Sequence, residues 1–229
     1  MKKFSFLLSI GLIFILGAVA FAAPWTDGTY EAWSDAGARS TQYAKVFIND
    51  GKISAVIVRE FTDRLIEKDW TNYNYPPFGE AARAIGAKFV EAQSADIDVI
   101  SGATSSSQGW IQAVERALMK ASSEKPANKY FDGTFLGRSH VASRGYYEVV
   151  WVTIKDDQIT DIKVQRVLED LSILDPADYN YPLEAAREAY VEQAVTLNSA
   201  NVDTISGATG LTEMLNIAVQ DALDRAVIH

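Results

Sequence analysis

Apolar and polar residues alternate from Tyr43 to Ile48, Asn49-Asp50-Gly51 interrupts them, and Ile53, Val56 and Val58 resume the apolar set. A period of two around an N-D-G sequence predicts a β-hairpin. Asp27-Gly28 opens an earlier strand near Thr29–Trp33. The pattern then changes period. An alanine-rich stretch predicts a helix over Phe78–Glu91, and Trp110, Ala113, Val114, Ala117 and Leu118 fall at helical spacing in a second one over Ser105–Ala121. Past residue 130 the order restarts, with strands near Tyr146–Ile154 and Ile159–Val167 and helices near Leu183–Ala194 and Leu211–Ala226. Meander strands with helices packed on one side predict an α+β fold, here two tandem copies of a small domain with an antiparallel sheet.

The restart is a sequence repeat. Asp27-Gly28-Thr29 returns as Asp132-Gly133-Thr134, Tyr73-Asn74-Tyr75-Pro76 as Tyr179-Asn180-Tyr181-Pro182, and Glu80-Ala81-Ala82-Arg83 as Glu184-Ala185-Ala186-Arg187. Self-similarity at a fixed step marks a duplicated unit. Ala121–Lys129 (ASSEKPANK) is polar, holds Pro126 and reads as the linker. The expected organisation is a leader over 1–22, a first domain over 24–122, a linker over 123–129 and a second domain over 130–229.

The sharpest repeat is D-x-I-S-G-A-T, at Asp98–Thr104 and again at Asp203–Thr209. It falls between two predicted helices, with its threonine where the second begins. Gly102 and Gly207 admit a backbone conformation that a β-carbon opposes. Ala103 and Ala208 keep the surface small, so that another group can approach. Thr104 and Thr209 stand where a helix leaves its first N–H groups unpaired, a place that favours an anion. Ser105, Ser106 and Ser107 add hydroxyls in the first turn of one copy, and Thr212 does so in the other. A threonine N-cap after a glycine turn is the plainest account of one such motif. It does not explain why aspartate, serine, glycine, alanine and threonine persist together in two copies that differ widely elsewhere.

At these residues the chain resembles the FMN-binding domain family, found in the C subunit of the sodium-pumping NADH:quinone oxidoreductase and the G subunit of the Rnf complex. The D-G-T-Y start, the I-x-D-G-K-I hairpin of the first copy and the Q-S-A-D-I-D-V-I-S-G-A-T block are part of the resemblance, which extends over both halves. It implies FMN joined by a phosphoester to the last threonine of S-G-A-T, hence two covalent FMN groups, on Thr104 and Thr209. It also implies a separate FAD-dependent, magnesium-requiring flavin transferase that installs them. Around the acceptors, Ser101, Gly102, Ala103, Ser107 and Trp110 in the first copy, and Ser206, Gly207, Ala208 and Thr212 in the second, become candidate cofactor contacts. Tyr75, Tyr181 and Trp110 are candidate walls for the flat ring, although Tyr-Pro also simply fixes an extended loop before a helix. Asp98 and Asp203 fit recognition by the transferase better than contact with a phosphate. The first copy continues S-S-S-Q-G-W and the second G-L-T-E-M, so the first matches the family more fully.

Composition narrows the chemistry. The chain has 229 residues and no cysteine, which removes disulfides, zinc-thiolate sites, iron–sulfur clusters, c-type haem attachment and a lipidated cysteine. The two histidines, His140 and His229, lie far apart and have no partner at a readable spacing, so a triad or a histidine metal site is not indicated. Asp156-Asp157 and Glu169-Asp170 read as turns, and Glu80, Arg83, Glu184 and Arg187 as exposed helix faces, from which either arginine could reach a phosphate. Lys2 and Lys3, the apolar run Phe4–Val19 and Ala20-Phe21-Ala22 form a secretory signal pattern; an uncleaved anchor is the alternative. Both put the body in the periplasm or outside the cell, with no membrane span after cleavage. The net charge is −9, and without the leader's two lysines −11, which disfavours nucleic acid as a partner. The combined expectation is a redox carrier serving a partner protein or a small acceptor. A flavin-dependent reductase subunit and a non-redox ligand-binding module are the alternatives.

Overall fold

The computed structural model describes residues 24–179 and 181–229; the signal pattern of residues 1–22 lies outside them. The first half runs β1 (Gly28–Trp33), β2 (Ser40–Asn49), β3 (Lys52–Thr62), α1 (Pro76–Ala92) and α2 (Thr104–Ala121). The second runs β4 (Gly133–Arg138), β5 (Tyr147–Lys155), β6 (Gln158–Val167), α3 (Leu183–Leu197) and α4 (Thr209–Ala226). Each half holds one three-stranded antiparallel meander, β1-β2-β3 and β4-β5-β6. The fold is therefore α+β in two repeated units, as the periodicities predict.

The repeated polar residues tie these elements together. Asp27 accepts the amide hydrogens of Asp50 and Gly51 at 3.1 and 2.8 Å, so the aspartate of D-G-T holds the β2–β3 turn. Asp132 does the same for Asp156 at 2.8 Å. Gln93 and Asn198 end α1 and α3 in the left-handed conformation. Their side chains accept from the amides of Ile53 and Ile159 at 2.9 and 2.7 Å, which joins each helix end to its hairpin.

In the first half the sheet packs one face on α1 and α2 through Ala44, Val46, Ile53, Ile85, Phe89, Trp110 and Val114. The second half departs from helices on one side only. Every residue from Tyr147 to Val152 is buried. Val150, Val152 and Ile154 face α3 and α4. Tyr147, Val149 and Trp151 face the other way, into a cluster with Leu136 and Val167 that Ala36, Phe61 and Leu65 of the first half cover. Burial on both faces explains why β5 shows no alternation.

Hydrogen bonds reinforce this apolar contact. Tyr147 Oη donates to Arg64 O at 3.0 Å, Gln165 Nε2 to Asp63 O at 3.0 Å, and the Ala36 amide to Thr134 O at 2.8 Å. Arg116 on α2 is the most connected. Its guanidinium donates to Trp33 O (2.8 Å), Asp35 Oδ1 (2.7 Å) and Asp132 O (2.8 Å), and lies 4.9 Å from the Phe135 ring centre. Arg116→Ala strands two carbonyls and removes a buried cation from the seam. It is expected to cost about 3 kcal/mol in urea unfolding; a loss below about 0.5 kcal/mol would show that the seam does not depend on it.

Candidate functional site

Both D-x-I-S-G-A-T segments fold into the same turn. The Ala103 amide donates to Ile100 O at 3.0 Å and the Ala208 amide to Ile205 O at 2.9 Å. The glycine takes the third place of each four-residue turn, with φ +81 at Gly102 and +75 at Gly207, as a type II turn requires. The isoleucines pack against the two cores. Their amide hydrogens go to a hydroxyl one turn into the following helix, Ser107 Oγ at 3.1 Å and Thr212 Oγ1 at 3.2 Å.

Several expectations change here. The N-cap is alanine, Ala103 or Ala208, and no side chain caps either helix. Thr104 and Thr209 are the first helical residues and are exposed, so the N-cap account of the threonines does not hold. Ala103 and Ala208 are 7% and 6% exposed: they are small because the core receives them, not to clear the surface. Ser107 and Thr212 are buried and committed to the isoleucine amides, so neither hydroxyl faces a cofactor. Trp110 is wholly buried, donates to Arg59 O at 2.9 Å and stacks on Phe78, so it is a core residue and not a ring wall. Arg187 is also buried, unlike Arg83.

The other candidates stay at the surface. Ser101, Ser206, Asp98 and Asp203 are exposed. Tyr75 and Tyr181 reach the turns: a β-carbon on Gly102 or Gly207 would lie 3.6 Å from the tyrosine hydroxyl in each copy. Tyr75 is half exposed and extended just before Pro76, so the loop-fixing role and the closeness to the turn coexist.

The two sites differ in their surroundings. A cleft of about 290 Å³ adjoins Thr209, walled by Tyr146, Arg166, Tyr179, Tyr181, Leu183 and the Gly207–Leu211 segment. A shallower one of about 750 Å³ lies across Tyr179 and Tyr181, beside Asp175, Pro176 and Glu184. In the first copy aromatic rings pack beside the corresponding position. Tyr73 packs on Phe78 with ring centres 4.9 Å apart, and Phe78 stacks on Trp110 at 5.8 Å. A cleft of about 460 Å³ near the start of α2 is walled by Asp35, Ser40, Gln42, Ser105, Gln108 and Gln112, without Thr104. The fuller sequence match of the first copy therefore does not come with the better-formed cleft.

Arg166, Tyr146 and Tyr179 escaped the sequence reading. Beneath the cleft, Glu148 is wholly buried and accepts from Arg166 at 2.6 Å and Arg187 at 3.4 Å. Burial pushes the Glu148 carboxyl above the usual carboxylate range, and the two guanidinium groups act against that. Tyr179 belongs to the repeated Y-N-Y-P motif and was legible there. Arg166 stands at the strand position that Glu60 holds in the first copy, a charge reversal visible once the repeats are aligned.

The FMN-binding domain family model matches residues 37–119 and 145–224, one segment in each half, and the chain belongs to that family. An uncharacterized protein of Treponema pallidum (strain Nichols) is 37% identical over 98 residues, which is 43% of this chain and 24% of that protein. The chain thus spans about a quarter of that relative's length. A crystal structure from Clostridium perfringens is 29% identical, covering 42% of this chain and 88% of that one, at a TM-score of 0.35. A solution structure from Clostridium thermocellum is 25% identical, covering 44% and 95%, at a TM-score of 0.31. The chain is a flavin-binding protein, and the donor set fits FMN. Uncapped helix starts with no acid in their first turn offer amide hydrogens to a phosphate, and tyrosines stand beside each turn.

The hydroxyl-to-isoleucine bond is testable without cofactor. Ser107→Ala and Thr212→Val each leave a part-buried amide unpaired, at an expected cost of about 1–2 kcal/mol. Hydrogen exchange of the Ile100 or Ile205 amide should accelerate locally. Unchanged protection in both variants would remove the hydroxyls from the account of the turn.

Proposed function

We propose that this chain is an exported electron carrier that holds one FMN on Thr104 and another on Thr209, each through a phosphoester. Two exposed, uncapped threonines at the ends of stapled turns carry this reading. A free hydroxyl at a helix start is open to an enzyme and stands beside donors for the product phosphate. In maturation the threonine oxygen bonds to the FMN phosphorus of FAD and loses its proton, the pyrophosphate bond breaks, and AMP leaves. An FAD-dependent flavin transferase performs this step, and exposed Asp98 and Asp203 serve its recognition of the two turns.

Once attached, the flavin supplies redox chemistry and the protein supplies position and electrostatics. Tyr75 and Tyr181 lie against the turns and help to hold the ring. Among the described residues no group of three or more histidine, cysteine or acidic side chains could hold a metal, and no helix is long and apolar enough to cross a membrane. On this reading electrons pass through the flavins to a redox partner protein or a small acceptor outside the cytoplasm, as in extracellular electron transfer. Intact mass and in-gel flavin fluorescence of the denatured, matured protein test the reading. Two FMN adducts are expected in the parent protein, one in Thr104→Ala or Thr209→Ala, and none in the double variant. Loss of all flavin on denaturation would overturn the covalent attachment.

A further inference from the structure

The two flavin sites differ most in buried charge. Backbone bonds place the two copies in register: Ser34 pairs with Gln42 as Ser139 pairs with Glu148, and the amides of Lys68 and Leu174 reach the carbonyls of Glu60 and Arg166. By this register Gln42 and Glu60 of the first copy correspond to Glu148 and Arg166 of the second. In the first copy Glu60 accepts from Lys68 at 2.5 Å, and Lys68 lies 5.4 Å from the Tyr73 ring centre and 5.6 Å from that of Phe78. That pair is one acid against one base. In the second copy two buried arginines share one buried carboxylate, exposed Glu184 lies 3.8 Å from Arg187, and Arg166 forms part of the cleft wall beside Thr209. Arg166 is 4% exposed, held on Glu148 Oε1 by Nε and Nη2, and flanked by the rings of Tyr146 at 4.2 Å and Tyr179 at 5.3 Å.

We propose that Arg166 makes the flavin on Thr209 easier to reduce than the flavin on Thr104, so that the two cofactors of one chain are unequal and the second is the electron sink. The inference rests on the proposed covalent loading. An oxidised flavin ring is neutral. Uptake of two electrons and one proton leaves it anionic, and a fixed cation at low exposure favours that form. Screening by water is weak in a wall that is 4% exposed. At the first site the position of Arg166 is held by an acid, Glu60, paired with Lys68, and the rings of Tyr73, Phe78 and Trp110 pack beside it.

Single-flavin proteins separate the sites. Thr104→Ala retains the Thr209 flavin and Thr209→Ala retains the other, and each is titrated with dithionite, whose oxidation to sulfite supplies the electrons. The midpoint is expected to be more positive in Thr104→Ala. Adding Arg166→Met there should lower the reduced-to-oxidised ratio at fixed potential at least tenfold, about 30 mV for a two-electron couple. Arg166→Lys should restore most of the difference. Arg166→Met leaves Glu148 still paired with Arg187. Arg166→Met in the Thr209→Ala background should leave the Thr104 midpoint where it was. Equal midpoints in the two single-flavin proteins, or an equal shift at both sites on removing Arg166, would overturn the proposal. The midpoint comparison decides this even if Arg166→Met does not fold. Intact mass is read first: absence of flavin from Thr104→Ala would overturn the covalent reading at Thr209 and this inference with it, whereas loaded flavin with a midpoint indifferent to Arg166 overturns this inference alone.

Discussion

A hydroxyl one turn into each helix, Ser107 in one copy and Thr212 in the other, takes the amide hydrogen of the isoleucine that opens the turn. Much of the local arrangement depends on that bond. It fixes the isoleucine against the core, the isoleucine carbonyl then receives the alanine amide, and the glycine between them must turn with positive φ. The alanine is thereby drawn inward as a cap without a side-chain oxygen. The next residue begins the helix with its own hydroxyl unused and its neighbours' amides open. Had threonine been the N-cap, its oxygen would have been engaged by the backbone. The staple relieves it of that role, which is the structural condition for the threonine to serve anything else.

A second constraint joins the repeats. A three-stranded sheet with helices on one face leaves the other face to be dealt with. The first sheet leaves much of that face polar or part exposed, as at Lys45, and Ile57 on β3 is itself exposed. The second carries Tyr147, Val149 and Trp151 there, and they are covered by Phe61 and Leu65 from the first half. The halves are therefore not interchangeable beads. One supplies the lid for the other, and Arg116 closes the polar edge of the seam. On the proposed function two cofactors would gain from this arrangement, since halves packed on a shared seam hold the two threonines in one relative placement.

The sequence made the strands, helices and duplication legible, because period-two and period-3.6 patterns report which residues face a core, and most have one core to face. It read β5 as a strand but not its second buried face, since a run such as Val149-Val150-Trp151-Val152 does not say what covers each side. At the site, the D-x-I-S-G-A-T repeat located the turns and the helix starts. It did not say which hydroxyl is used and which is free. Ser107 and Thr212 look like ligands on a helical wheel's first turn, and only the path of the chain back to Ile100 and Ile205 shows that they are taken. Trp110 likewise looked like a ring wall because it is aromatic and near the motif, but its indole N–H reaches Arg59 O inside the core. The cleft residues Tyr146 and Arg166 come from the residue before β5 and the end of β6, far from the motif in sequence.

The triad of Glu148, Arg166 and Arg187 bears on why the copies diverged. Removing three ionised groups from water is costly, and apolar residues of similar volume commonly replace such groups with no loss of stability. The first copy shows a less charged solution on the same frame, with Gln42, Glu60 and Lys68 beneath a closed aromatic layer. Stability alone therefore gives no reason for a second arginine in the second copy. Arg166 sits where a cleft opens next to Thr209. On the proposed function, a group that brings negative charge into that cleft would meet Arg166 there, and the divergence of the two copies would follow from what each turn holds.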